Sequence, residues 1–118
     1  VEDNLLNQKF ATATLKKEGH HIDIAENGKI ALEKFKLNTY DIILMDIQLP
    51  IMSGIEATLE IRKFEKETKQ EPIKIIAVTA FALDNKRDEC MAAGMDSFLA
   101  KPFKPQQLIR MIDEVKFV

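Results

Sequence analysis

The sequence predicts an α/β domain in which a parallel sheet is covered by helices on both faces. Three observations predict it. Apolar, strand-like runs alternate with helical patterns from one end of the chain to the other. Two runs, Ile42-Ile43-Leu44-Met45 and Ile75-Ile76-Ala77-Val78, are continuous rather than alternating, the mark of strands buried on both faces. The chain is 118 residues long, the size of one domain with one core. Strict β-α alternation implies right-handed crossovers, and it directs attention to the carboxyl ends of the strands, where such sheets bind ligands.

Val1 reads as the tail of a first strand. Residues 4–18 follow as a helix with Leu6, Phe10 and Ala13 on one face, and 21–25 as a short strand. Residues 28–37 form a helix buried through Ala31, Leu32 and Phe35, and 41–46 the first continuous apolar strand. The helix at 54–68 turns Ile55, Leu59 and Ile61 inward and a charged tail outward, and Pro72 marks the restart. Residues 73–78 form the next strand, and 84–93 a helix stopped by Gly94. A strand at 97–100 precedes a last helix, opened by Pro105 and striped with Leu108, Ile109, Ile112 and Val115. No repeat, low-complexity segment or linker interrupts residues 1–118, which read as a single domain. A central strand of one residue cannot complete a backbone ladder, so the sequence is expected to be an excerpt lacking residues upstream of Val1.

Composition narrows the function. The chain is 46% hydrophobic and 31% charged, within the globular range, with a net charge of −2 and a pI of about 5.7. Direct nucleic-acid binding is therefore not expected. The lysines alternate with glutamates and read as solvated helix faces. Cys90, the single cysteine, excludes an internal disulfide, suits a reducing compartment and reads as a small buried residue. No apolar run reaches the roughly 20 residues of a membrane span, and no signal peptide is recognised. A cytoplasmic domain without membrane contact of its own is expected, whose parent chain can still be membrane-anchored.

The strand ends carry the chemistry. Glu2 and Asp3 follow the first strand, Asp46 ends the third, Thr79 ends the fourth, and Lys101-Pro102 follows the fifth. Loop polarity accounts for one or two of these, but not for an acid closing a buried apolar run. Two unit charges about 4 Å apart repel by on the order of 4 kcal/mol at an effective dielectric near 20, so three gathered carboxylates require a cation. All-oxygen donors select a hard ion such as Mg²⁺, whereas zinc would want His or Cys, which these strand ends lack. A divalent ion beside a lysine and a threonine hydroxyl forms a cage for a phosphoryl group, and a carboxylate such as Asp46 can serve as the nucleophile. His20 and His21 follow a helix end, where a cation suits the dipole, and no metal or phosphodonor role is expected of them.

Five stretches, V-E-D-N-L-L-N-Q (1–8), N-G-K-I-A-L-E (27–33), D-I-I-L-M-D-I-Q-L-P-I-M-S-G-I-E-A-T (41–58), I-I-A-V-T-A (75–80) and A-A-G-M-D-S-F-L-A-K-P-F (92–103), resemble in order and spacing the receiver domains of response regulators. The likeness is greatest to the receivers of hybrid sensor histidine kinases. The resemblance implies a flavodoxin-like, five-stranded sheet of order 2-1-3-4-5, its first strand truncated here. It implies two-component signalling, with Mg²⁺-dependent phosphoryl transfer from a partner's phosphohistidine to Asp46, followed by a conformational switch or onward relay. Such a domain catalyses its own phosphorylation and dephosphorylation, and the parent chain can be a hybrid histidine kinase. The expected partners are a histidine kinase or a histidine phosphotransfer domain.

Residue by residue, the resemblance makes Asp46 the phosphoacceptor. Asp3 and Asp46 ligate the metal, Glu2 acts through water, and the Gln48 carbonyl supplies a further ligand. Thr79 and Lys101 hold phosphoryl oxygens, a cis peptide at Lys101-Pro102 aims the lysine, and Phe98 is the switch aromatic, although ordinary core packing also suits it. Phe81 and Gln48 flank the path of a hydrolytic water, Phe81 as a shield. Two rivals stand against this. A haloacid dehalogenase-type phosphatase would carry a second Asp two residues after its nucleophile, where this chain has Gln48. A receiver-like module that is never phosphorylated would have lost an acid or the lysine, and all are present.

Overall fold

A computed structural model describes residues 1–79, 84–101 and 103–116, with the backbone alone for 84–86 and 116. Among these residues the chain forms α1 (Leu5–Lys17), α2 (Gly28–Leu37), β1 (Ile42–Asp46), α3 (Gly54–Thr68), β2 (Lys74–Thr79), α4 (Asp84–Ala93), β3 (Ser97–Ala100) and α5 (Pro105–Lys116). Side chains start three of the helices: Asn4, Asn27 and Ser53 accept from the N–H of Asn7, Ile30 and Glu56, satisfying donors that the helix leaves unpaired. Gly94, at φ +107, stops α4, and Met95 N–H reaches back five residues to the Cys90 carbonyl.

The strands form a parallel sheet in the order β1-β2-β3, with Ile43 opposite Ile75 and Ala77 opposite Phe98. Alternation along β2 divides the core between the two faces. Ile75 and Ala77 pack with Leu32, Phe35, Ala57, Ile61 and Cys90 under α2, α3 and α4, while Ile76 and Val78 pack with Leu15, Leu108, Ile112 and Val115 under α1 and α5. This double covering is why the run carries no polar alternation.

Three expectations are corrected. Residues 21–25 form no strand. A strand exists only through pairing, and the one backbone ladder contact here is Glu2 N–H to the Ala25 carbonyl at 3.0 Å. The Val1 amino group meets the Leu44 carbonyl, and Asp46 N–H donates to the Val1 carbonyl at 3.1 Å. These two bonds set Val1 opposite Met45 in parallel register. Val1 and Glu2 thus stand between β1 and residues 21–25, the place that the order 2-1-3-4-5 gives the first strand. Beside them opens a groove of about 1160 Å³ lined by Phe10, Leu15, Ile22, Ile42, Leu44 and Val78, and Ile42, Ile43 and Leu44 are only half-buried as a result.

Second, the face of α1 that carries Leu6, Phe10 and Ala13 looks outward, because the helix docks through Thr14 and Leu15. Third, the buried stripe of α3 is Gly54, Ala57, Thr58, Ile61 and Glu65, so Leu59 is half-exposed and part of the charged tail turns inward. Glu65 is admitted because Arg62 accompanies it. Arg62 donates to Glu65 Oε1 at 2.8 Å, to the carbonyls of Ile73 and Gly94, and to Asp96 Oδ2 at 3.0 Å. Glu65 Oε2 in turn accepts Ile73 N–H at 2.6 Å.

The loop from β1 to α3 is closed at its base, where Gly54 N–H donates to the Ile47 carbonyl at 2.9 Å. A Cβ on Gly54 would stand 2.0 Å from the Asp46 carbonyl oxygen, so glycine alone permits this approach. At the tip, Met52 N–H bonds the Pro50 carbonyl two residues back, a γ-turn centred on Ile51. Ile51 has φ +69, a conformation that costs an L-residue roughly 1–2 kcal/mol. Its side chain is 79% exposed.

Candidate functional site

The carboxyl ends of the strands converge. Asp46 closes β1 and is buried, Thr79 closes β2 and is buried, and Lys101 leaves β3 with its backbone N–H on the Thr79 carbonyl at 2.7 Å. Lys101 Nζ lies 2.9 Å from Asp46 Oδ2 and 2.6 Å from Glu2 Oε2. Glu2, Asp3 and Asp46 each offer a carboxylate oxygen, and these lie within 4.8 Å of one another. Together with Asn4, Asn7, Gln48, Thr79 and Lys101 they line a cleft of about 250 Å³.

Glu2 is held from two sides. Lys101 takes Oε2, while Oε1 accepts Asn4 N–H at 3.1 Å and Asn7 Nδ2 at 3.5 Å. Gln8 Nε2 donates to the Glu2 carbonyl at 2.7 Å. Gln48 N–H donates to Asp46 Oδ1 at 3.2 Å and fixes that carboxylate from the loop side. Sequence reasoning found Glu2, Asp3, Asp46, Gln48, Thr79 and Lys101 at this edge but missed Asn4 and Asn7. Their signal was the pair of asparagines at the start of α1, a capping pattern rather than a ligand pattern.

Burial is the largest influence on Asp46 and pushes its carboxyl above the ordinary value, although the Lys101 hydrogen bond pulls it down. Burial also raises Glu2, but Lys101 with the Asn4 N–H outweighs it and holds that carboxyl below its usual value. For Lys101 burial is again the first influence, and the two carboxylate hydrogen bonds overcome it and raise the ammonium pKa. Three carboxylates facing one lysine leave net negative charge in the cleft. The donors are all oxygen, which fits a hard divalent cation such as Mg²⁺.

Phe98 is partly buried and packs against the cluster under α2, α3 and α4. His20 and His21 do not line the acidic cleft. Phe81 and Pro102 lie outside the described residues. No helix among the described residues is long and apolar enough to cross a membrane.

Comparison with known proteins places the chain. It is 38% identical over 119 residues to the hybrid signal transduction histidine kinase M of Dictyostelium discoideum, covering 99% of this chain and 5% of that protein. It superposes on the receiver domain of a sensor histidine kinase from Pseudomonas aeruginosa, crystallised with a magnesium ion coordinated in the active site cleft. That match has a TM-score of 0.87 and 39% identity, covering 100% of this chain and 94% of the other. It also superposes on the receiver domain of the yeast response regulator Ssk1, crystallised with the histidine phosphotransfer protein Ypd1. Here the TM-score is 0.93 and the identity 33%, covering 98% and 85% of the two chains. The description of the response regulator receiver domain matches residues 1–113, and the chain belongs to that family, the receivers of two-component signalling.

Proposed function

We propose that Asp46 is the phosphoacceptor of this receiver and takes its phosphoryl group from a phosphohistidine on a histidine kinase or histidine phosphotransfer protein. The supporting observation is the buried Asp46 at the end of an apolar strand, bonded to Lys101 and gathered with Glu2 and Asp3 within 4.8 Å. A Mg²⁺ ion held by Asp3, Asp46 and the Gln48 carbonyl, with Glu2 acting through water, would neutralise charge on the phosphoryl oxygens.

The remaining work falls to the chain's own residues. The P–N bond of the donor breaks as an O–P bond forms to an Asp46 carboxylate oxygen, and the imidazole leaves with the bonding pair and takes up a proton. Lys101, already beside Asp46 and Glu2, turns its ammonium to a phosphoryl oxygen and donates a hydrogen bond there. Thr79, at the end of β2, offers its hydroxyl to another. Those contacts bias a two-state equilibrium in which Phe98 follows Thr79, and the phosphoryl group then either holds the switched state or passes onward. Gln48 lines the cleft, which supports a part for it in meeting a hydrolytic water. By the family resemblance the residue two after Thr79, here Phe81, flanks that water's path, and Phe81→Ala is expected to shorten the lifetime of the phosphorylated form.

The test is intact mass after incubation with acetyl phosphate and Mg²⁺. Wild type gains one phosphoryl mass and Asp46→Asn gains none. Lys101→Ala stays folded, binds Mg²⁺ at least as tightly and switches poorly. A phosphoryl adduct on Asp46→Asn would refute the assignment.

A further inference from the structure

Every polar atom of Glu2 has a partner. Its N–H donates to the Ala25 carbonyl at 3.0 Å, and its own carbonyl accepts Gln8 Nε2 at 2.7 Å. Oε1 accepts Asn4 N–H at 3.1 Å and Asn7 Nδ2 at 3.5 Å, while Oε2 accepts the Lys101 ammonium at 2.6 Å. Three of these five bonds come from the cap and first turn of α1. The cap itself fixes where they emerge, because Asn4 Oδ1 accepts Asn7 N–H at 3.1 Å and the Asn4 carbonyl accepts Gln8 N–H at 3.0 Å. None of the three depends on Lys101, so they still hold Glu2 when the ammonium turns to a phosphoryl oxygen.

The restraint matters because Glu2 is close to being a direct ligand. One of its carboxylate oxygens lies within 4.8 Å of those of Asp3 and Asp46, so a short swing would bring it onto an ion that they hold. The added oxygen would enlarge and loosen the site. Mg²⁺ demands near-octahedral ligands at about 2.0–2.1 Å and keeps several waters, whereas Ca²⁺ takes about 6–8 oxygens at about 2.3–2.6 Å in flexible geometry. Ligand number and flexibility therefore decide between the two ions. Partners that orient metal-binding groups from outside the first shell tune metal affinity by about 10–100-fold.

We propose that Asn7 and Gln8 are positioning residues that keep the Glu2 carboxylate out of the ion's first shell and so favour Mg²⁺ over Ca²⁺. The proposal rests on the reading of the acidic cleft as the metal site and adds what sets its selectivity. Asn7 and Gln8 act through Glu2 rather than as ligands. Asn7 restrains the carboxylate and Gln8 the backbone that carries it. With both amides removed, Glu2 keeps only the Asn4 N–H and Lys101 on its side chain, and rotation toward the ion costs one hydrogen bond fewer.

The experiment titrates the unphosphorylated protein with Mg²⁺ alone and with Ca²⁺ alone, following backbone amides of the cleft by NMR to obtain a Kd for each ion. Thermal melting accompanies each variant. In the double variant Asn7→Ala, Gln8→Ala the affinity for Ca²⁺ relative to Mg²⁺ is expected to rise about tenfold over wild type. Asn7→Ala alone, at an exposed position where alanine suits a helix, melts like wild type and moves the ratio the same way. Asn7→Gln, which keeps an amide donor, stays near the wild-type ratio. In a Glu2→Ala background the two alanines change the ratio no further, as residues acting through Glu2 require. An unchanged ratio overturns the proposal, as does equal weakening of both ions or a shift that persists without Glu2. Undiminished binding of both ions in Asp3→Ala would instead bring down the reading of the cleft as the metal site.

Discussion

At Asp46 burial and Lys101 pull in opposite directions, and burial wins, leaving the carboxyl raised. The native state therefore binds that proton more readily than the unfolded chain does. The stability this group contributes is fully present below its unfolded pKa, and it falls as the pH rises through the folded value, so at neutral pH the ionised carboxylate costs stability. Asp46→Asn removes the charge and is expected to melt a few degrees above wild type in metal-free buffer. Added Mg²⁺ should narrow the gap by stabilising wild type alone, which circular dichroism melts with and without the ion would record. A variant melting below wild type without metal would mean that Lys101 needs both carboxylates. Asp46 was legible in the sequence because an acid at the end of an apolar strand has few structural explanations. Asn7 was not, because its bond to Glu2 depends on how the first turn of α1 is oriented.

Among the elements, the helices show where periodicity suffices and where it does not. In α2 the stripe Ala31, Leu32, Phe35 is the broadest apolar face, and the structure buries it. Two faces of α1 are comparably apolar, so the choice between Leu6-Phe10 and Ala11-Leu15 is made by packing against α5. In α3 the decisive residue is charged. Glu65 is 3% exposed and depends on Arg62, which also holds the carbonyls of Ile73 and Gly94 and so ties α3 to the start of β2 and the end of α4. Arg62→Leu would leave Glu65 buried without its counter-charge, at a cost of about 3–5 kcal/mol. The urea midpoint should drop by more than roughly 1 M, given slopes of about 1–3 kcal/mol per molar for small proteins. Asp96→Asn, at the solvent-facing end of the same arginine, should shift the midpoint far less. Equal shifts would show that the node acts through its surface pair.

For the molecule as a whole, the sequence carried the doubly covered sheet, because Ile75-Ile76-Ala77-Val78 could only be satisfied by helices on both sides. It did not carry the state of residues 21–25, since strand identity is a property of pairs, and no local pattern says whether a partner is in place. The close approach of Gly54 to the end of β1 bears on mutational tolerance. With a Cβ there 2.0 Å from the Asp46 carbonyl oxygen, no side chain at position 54 leaves the strand end where it stands. A scan of single substitutions should therefore find that position as intolerant as the acidic cleft.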